Sequence, residues 1–178
     1  HKHIPAATIA GGKYADRMIT AFASSKTFNL ATCLTSTIVI ENEELRKIWD
    51  DFTKVYNQVE VNVFGITAVE AALRGGEEWY QSVKKVICAN YETVVEEMKE
   101  FPGVSIAPLE GTYLVFMDLR KYVPVDEVHD FTQEKCRLAV DYGEWFGENW
   151  KGFIRLNMGT HPDIVMSAVK NIKENLRK

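Results

Sequence analysis

Apolar residues recur along the chain with two different periods, so the sequence predicts a mixture of strands and helices. Short runs rich in β-branched or aromatic residues predict two strands, at residues 17–22 and 35–40, on either side of a polar segment. Further strands are predicted at 104–108, 112–118 and 153–158. Apolar residues at three- and four-residue steps predict helices at 42–57, 65–73, 77–100 and 126–140, and a last helix that Thr160 would cap.

The first two predicted strands enclose a polar segment that contains one lysine, Lys26. Ser24 and Ser25 precede it and Thr27 follows it, and all three hydroxyl groups can donate hydrogen bonds to an anion. A lysine amine, with a pKa of roughly 10, becomes a nucleophile only after it loses its proton. Most lysines are solvated surface groups, and the residues alone leave that interpretation open.

A second candidate is Arg155, which lies between apolar residues in the predicted strand at 153–158. An arginine that is buried or half-buried needs a carboxylate to pair with its guanidinium group. That carboxylate could belong to a ligand, or to an acidic residue of the chain such as Asp118 or Glu144. The residues alone leave both possibilities open.

Two segments carry a resemblance to a known family. Residues 23–30, Ala-Ser-Ser-Lys-Thr-Phe-Asn-Leu, resemble the Ser-Lys-Thr-Phe-Asn-(Leu/Ile)-Ala segment of fold-type I pyridoxal-phosphate (PLP) enzymes. Residues 152–157, Gly-Phe-Ile-Arg-Leu-Asn, resemble a second segment of these enzymes. The chain is most similar to the bacterial cystathionine β-lyase (C–S lyase) group of the maltose-regulator type, within the class I/II aminotransferase superfamily. The resemblance extends over nearly the whole chain, which looks like the C-terminal half of such a protein.

The resemblance implies a fold with α/β and α+β parts, the C-terminal part of an aspartate-aminotransferase-like, PLP-dependent transferase. Residues 1–60 would be the C-terminal remnant of the large PLP-binding domain and would include the lysine loop. Residues 61–178 would form the small C-terminal domain, for which the order of predicted strands and helices also favours an α+β architecture.

The resemblance also implies roles for single residues. Lys26 would bind PLP covalently and act as the general base on the substrate Cα proton. Ser25 and Ser24 would contact the cofactor phosphate. Arg155 would hold the substrate α-carboxylate in a bidentate fork, and Tyr113 would line the substrate side of the pocket. Taken alone, Tyr113 is equally well explained as aromatic core packing.

At two positions the chain departs from the aminotransferase pattern, and the lyase group shares both departures. Ala23 stands where the family's lysine loop often has a serine, and Leu34 stands where many aminotransferases have an arginine. The family's aspartate for the pyridine nitrogen and its glycine-rich phosphate loop belong to the N-terminal half, outside this resemblance. We therefore expect the chain by itself to bind PLP weakly or not at all.

Composition and charge narrow the class of protein. Hydrophobic content of 46% and charged content of 26% are ordinary for a globular chain. The net charge of −4, without a basic stripe, argues against a nucleic-acid partner, and the lack of any apolar run near ~18 residues argues against a membrane span. Three widely spaced cysteines favour reduced thiols in a cytoplasmic protein, and no spacing of histidine and cysteine predicts a metal site.

Three functions remain open from the sequence. The first is a PLP-dependent C–S β-lyase acting on sulfur-containing amino acids, and the second is a class I/II aminotransferase on the same scaffold. The third is a non-catalytic piece that serves only as a folding or dimerisation module. The resemblance further implies a homodimer, with a small-molecule amino acid as the other partner.

Overall fold

The computed structural model describes residues 2–56 and 61–177. The chain divides into two compact units, His1–Tyr80 and Gln81–Lys178. The domain boundary predicted near residue 60 falls on residues outside the described ranges and stays a prediction. No helix within those ranges combines the length and the apolar character needed to cross a lipid bilayer.

The first unit contains a two-stranded antiparallel sheet of β1 (Ile19–Phe22) and β2 (Thr37–Ile40). Phe22 lies opposite Thr37, so the connecting loop at 23–36 begins and ends at a paired position. Both strands are confirmed, and each begins two residues later than predicted. A short 3-10 helix precedes each strand, at Ala15–Arg17 and Ala31–Cys33, and the first of these occupies residue 17, the predicted start of β1.

Two helices of similar length follow the sheet in the first unit, α1 (Glu43–Val55) and α2 (Val63–Gly75). The side chain of Asn42 caps α1 by accepting from the backbone N–H of Leu45 at 2.9 Å. Asn62 caps α2 by accepting from the N–H of Gly65 at 2.6 Å. This second cap, which we did not predict, explains why α2 begins at residue 63 instead of 65.

The apolar stripe predicted along α1 is present, but it faces solvent in the described structure. No residue of α1 is buried, and the side chains of Ile48 and Phe52 are 65% and 57% exposed. Of the hydrophobic residues that are buried within the described ranges, only Ala15 and Ile40 belong to the first unit. The first unit therefore has very little core of its own.

The longest helices and the strands of the rest of the chain are α3 (Glu77–Met98), which begins in the first unit, β3 (Ser105–Ile106), β4 (Leu114–Asp118), β5 (Asp141–Tyr142), β6 (Phe153–Asn157) and a C-terminal helix, Pro162–Leu176. The four strands form an antiparallel sheet in the order β3-β4-β6-β5. Burial alternates along β4 and β6, as expected when only one face of a sheet is covered.

The core of the second unit lies on the covered face of this sheet. It contains residues of β4 and β6 together with residues of α3 and the C-terminal helix, among them Val94, Met98, Val115, Met117, Ile154, Leu156, Val165, Val169 and Ile172. The opposite face, here called the open face, carries Phe116 and Arg155 as directly paired neighbours. The strand pairing therefore places the predicted arginine outside the core.

The helix predicted at 126–140 is shorter than expected. Only Val128–Asp130, here α4, is α-helical, and a π-helical segment, Phe131–Lys135, follows it. Arg137 then adopts a left-handed conformation with φ of 57°, which no regular helix allows. The chain turns there and forms β5, a strand that the sequence pattern did not predict.

The start of the C-terminal helix, α5 (Pro162–Leu176), also differs from the prediction. His161, and not Thr160, is the capping residue, and its Nδ1 accepts from the N–H of Asp163 at 3.3 Å. Proline is favoured at the first position of a helix because it has no N–H to satisfy. Pro162 therefore sets the first turn one residue later than a cap at Thr160 would.

Candidate functional site

Residues 24–29 form a closed turn, here called the lysine turn, inside the loop between β1 and β2. The N–H of Phe28 donates to the carbonyl of Ser24 at 3.0 Å, and the N–H of Leu30 donates to the carbonyl of Ser25 at 2.8 Å. Asn29 has φ of 55°, in the left-handed region that asparagine enters more readily than most residues. The six-residue hydrogen bond with a left-handed residue before its donor is the pattern of a Schellman turn. The sequence of residues 23–30 therefore encodes a defined backbone conformation around Lys26.

The polar side chains of the lysine turn differ in exposure but share a lack of partners in the described part of the chain. Lys26 is exposed, and Ser24 and Ser25 are half-buried. Within the described ranges, none of these three side chains makes a hydrogen bond or an ion pair. The turn thus brings one amine and two hydroxyl groups together without internal partners.

An aromatic contact anchors the lysine turn to the end of the first unit. The ring of Phe28 stacks on Trp79, with 5.6 Å between the ring centroids, and lies 6.5 Å from the ring of Tyr80. A Cβ atom on Gly76 would lie 2.6 Å from the Phe28 ring, so only glycine allows this approach. Trp79 is one of the apolar residues whose spacing predicts a helix at 77–100, but it is 45% exposed, and its contact with Phe28 gives it a role in holding the turn.

Arg155 is paired with an acidic residue of the neighbouring strand. Its Nε and Nη2 both donate to Oδ2 of Asp141, at 3.0 and 2.5 Å, and the two residues lie opposite each other in the β5–β6 pairing. The partner is thus neither Asp118 nor Glu144. Asp118 accepts from Arg120, and Glu144 contacts the ring of His129. The sequence did not identify Asp141 as the partner, because its two-residue strand is too short to show an alternating pattern.

Aromatic side chains fix the guanidinium group of Arg155 from another direction. Its central carbon lies 4.4 Å from the centroid of the Phe146 ring, a cation–π distance. Phe146 in turn packs edge-on against Phe116, with centroids 5.4 Å apart. The Arg155 side chain is 24% exposed, and no hydrogen bond in the described part of the chain uses its Nη1. One edge of the guanidinium group therefore keeps donors for a ligand.

Tyr113 lies just before β4, where the pairing of β4 with β6 ends. Its carbonyl accepts from the N–H of Met158 at 2.7 Å, and its half-buried ring lies against Gly159. The side chain of Asn90 in α3 holds the same region by donating to the carbonyls of Met158 and Thr160, both at 2.9 Å. Asn90 was also missed, although a polar residue inside the apolar stripe of α3 was a usable signal.

The predicted site residues thus form two groups. Ser24, Ser25 and Lys26 lie in one turn of the first unit, whereas Tyr113 precedes β4 and Arg155 lies in β6 of the second unit. A cleft of about 510 Å³ in the second unit is lined by Asp141, Arg155 and Asn157 together with apolar residues, some from α5 and some from the segment just before β5. Arg155 therefore borders a space that a small ligand can enter, whereas Tyr113 is not among the residues that line it.

No protein-family model matches the chain. It is 29% identical over 178 residues to the cystathionine beta-lyase PatB of Bacillus subtilis. Among solved structures it matches a PLP-bound putative aminotransferase from Clostridium difficile 630, with a TM-score of 0.92 at 29% identity. It also matches cystalysin from Treponema denticola, whose structure contains pyridoxal 5'-phosphate, with a TM-score of 0.90 at 27% identity. The predicted resemblance is confirmed.

The three similarities cover 99% of this chain, but only 46% of PatB, 46% of the Clostridium protein and 45% of cystalysin. The chain therefore spans about half the length of the proteins it matches. The predicted fold class, the C-terminal part of an aspartate-aminotransferase-like PLP-dependent transferase fold, is confirmed as well.

Proposed function

We propose that this chain supplies the lysine and the substrate-binding arginine of a PLP-dependent C–S β-lyase that acts on sulfur-containing amino acids. The observation that carries the proposal is the lysine turn, in which Lys26, Ser24 and Ser25 have no internal partners. The similarity to PatB and to the PLP-containing cystalysin supports the same activity and cofactor.

The residues of the lysine turn fit the chemistry of PLP. The Nζ of Lys26 would hold the cofactor covalently at its aldehyde carbon. The hydroxyls of Ser25 and Ser24 would donate to its phosphate oxygens. When bound, PLP supplies an electron-withdrawing ring that stabilises negative charge at the substrate Cα.

The remaining steps belong to residues of this chain. Arg155 would bind the substrate α-carboxylate by charge-assisted hydrogen bonds, with Tyr113 beside the substrate. Lys26 would take the Cα proton and pass a proton to the departing sulfur as the Cβ–S bond breaks. A thiol leaves, and water converts the rest of the substrate to a keto acid and ammonia.

Two alternatives each have an observation in their favour. An aminotransferase is favoured by the similarity to the Clostridium protein, which is described as a putative aminotransferase. A non-catalytic folding or dimerisation module is favoured by the exposed apolar stripe of α1. Thiol release from L-cystathionine without an added keto acid supports the lyase, and dependence on a keto-acid co-substrate supports the aminotransferase.

We also propose a cytoplasmic homodimer in which residues 1–60 belong to the large domain and residues 61–178 form the small one. Free Cys33, Cys88 and Cys136 are in keeping with a reducing compartment. Analytical ultracentrifugation tests the dimer directly, because a monomer at micromolar concentration would contradict it.

Covalent labelling tests the role of Lys26 even if the chain binds PLP weakly. The chain is incubated with excess PLP, reduced with borohydride and digested, and the label on each lysine is quantified by mass spectrometry. Phosphate contacts from two hydroxyls should place about tenfold more label on Lys26 than on Lys47, an exposed lysine of α1. Replacing Ser25 by alanine should lower the label on Lys26 and leave Lys47 unchanged. Equal labelling of both lysines would show that this chain alone does not direct PLP to Lys26, and would support the non-catalytic module.

A further inference from the structure

We propose that Asp141 is a positioning residue for Arg155, which it holds so that the remaining guanidinium edge can take a substrate carboxylate. The proposal rests on the proposed function for the identity of the substrate. It extends that function by naming a residue outside the predicted site, on a strand that the sequence did not predict.

The geometry of the ion pair carries the proposal. A guanidinium group has two edges that can bind a carboxylate in a bidentate fork, one formed by Nε with one terminal nitrogen and one formed by both terminal nitrogens. Asp141 occupies the first edge of Arg155 with a single oxygen, Oδ2. The second edge keeps Nη1, which no hydrogen bond in the described part of the chain uses. Asp141 thus orients the group and leaves one binding edge open.

The surroundings of the pair make its orientation specific. The cross-strand register fixes the backbone of Asp141 opposite that of Arg155, and the ring of Phe146 covers the guanidinium plane. Rotation of the side chain would break the two hydrogen bonds and leave a charge that is only 24% exposed without its partner. Both residues line the cleft of about 510 Å³ in the second unit.

A second ion pair in the same sheet provides a matched control. Arg120 also donates through Nε and Nη2 to an aspartate, Asp118, and also lies over an aromatic ring, that of Phe153 at 4.6 Å. Here, however, both carboxylate oxygens are used, the arginine is 48% exposed, and neither residue lines the cleft. This second pair has the same chemistry but does not border the cleft.

Nuclear magnetic resonance of the full chain tests the proposal without any cofactor. The solvent exchange rate of the Arg155 Nε–H is measured in the unchanged chain and in the Asp141→Asn, Asp141→Glu and Asp118→Asn variants. Loss of a charge-assisted hydrogen bond should raise this rate about tenfold or more in Asp141→Asn, and Asp141→Glu should restore much of the protection. Asp118→Asn should raise the exchange rate of Arg120 and leave Arg155 unchanged. The backbone amide spectrum shows that each variant is folded.

A titration with acetate then separates positioning from a purely structural role. In the unchanged chain, acetate should shift the Arg155 side-chain signals, and Asp141→Asn should weaken acetate binding although a repelling charge has been removed. The proposal is overturned if acetate does not shift Arg155, if its exchange rate is the same in Asp141→Asn, or if that variant binds acetate more tightly. The last result would make Asp141 a competitor for the carboxylate site. Labelling of Lys26 by PLP is measured separately, so a failure of the proposed function is distinguishable.

Discussion

Replacing Asn90 offers a quantitative test of how the second unit is held together. The side chain is 2% exposed, and its amide donates to the carbonyls of Met158 and Thr160, both at 2.9 Å and about seventy residues away along the chain. These bonds join α3 to the segment between β6 and α5, beside Tyr113. An alanine at this position removes both donors and leaves the two carbonyls without them.

The size of the effect follows from these contacts. Two hydrogen bonds of about 0.5–1.5 kcal/mol each, together with the cost of poorly solvated carbonyls, give a loss of about 2–4 kcal/mol in the free energy of unfolding for Asn90→Ala. An aspartate at the same position would place a carboxylate against two carbonyl oxygens, which raises its pKa in the folded state. A raised folded pKa means that stability is retained at low pH and lost as the pH rises. Asn90→Asp should therefore be less destabilised at pH 4 than at pH 7.

Urea denaturation followed by circular dichroism measures both variants, and Asn175 provides the control. Its side chain also donates to two carbonyls, those of Lys135 and Asn171, but from a more exposed position. Asn175→Ala should lower the free energy of unfolding by less than about 1 kcal/mol, because water can replace the lost donor. Equal losses at the two asparagines, or an Asn90→Asp variant that is insensitive to pH, would refute the argument from burial.

Two further predictions concern packing and thiol chemistry. Gly143→Ala would place a Cβ atom against the carbonyl oxygen of Trp150, so urea denaturation should show a loss of about 1–3 kcal/mol in the free energy of unfolding. Gly111→Ala, whose Cβ atom meets no atom within 4 Å, should lose almost none. Cys136 is buried, and burial raises the pKa of its thiol to about 11, so at pH 8 iodoacetamide should modify the exposed Cys88 long before Cys136. Equal modification rates in the folded chain would contradict this.

The sequence predicted most of the elements because their patterns are local. The strands around Lys26 and Arg155 are short apolar runs bounded by polar residues, and each appears in the structure. The pairing of Arg155 with Asp141 could not be predicted, since it depends on a left-handed turn at Arg137 that no periodicity encodes. The error at Thr160 has a local cause, because the following proline determines where the helix begins.

The candidate site residues show the same difference between local patterns, which can be predicted, and long-range contacts, which cannot. The lysine turn could be predicted because its hydrogen bonds join residues only four and five positions apart. Asn90 acts across about seventy residues, so its partners became visible only in the folded sheet. The apolar stripe of α1 was recognised correctly as a pattern, but periodicity does not say what covers a stripe, and in the described structure it is exposed.

The uneven distribution of buried side chains affects how the chain melts. The hydrophobic cluster is drawn entirely from the second unit, whereas the strands flanking Lys26 form a two-stranded hairpin, which is marginally stable in isolation. Segments unfold together when they bury side chains against one another, and the hairpin buries few, so we expect it to unfold before the hydrophobic cluster does. A molecule that binds only the folded hairpin would stabilise it by mass action, so the order of the backbone around Lys26 would rise as more of the chain is bound.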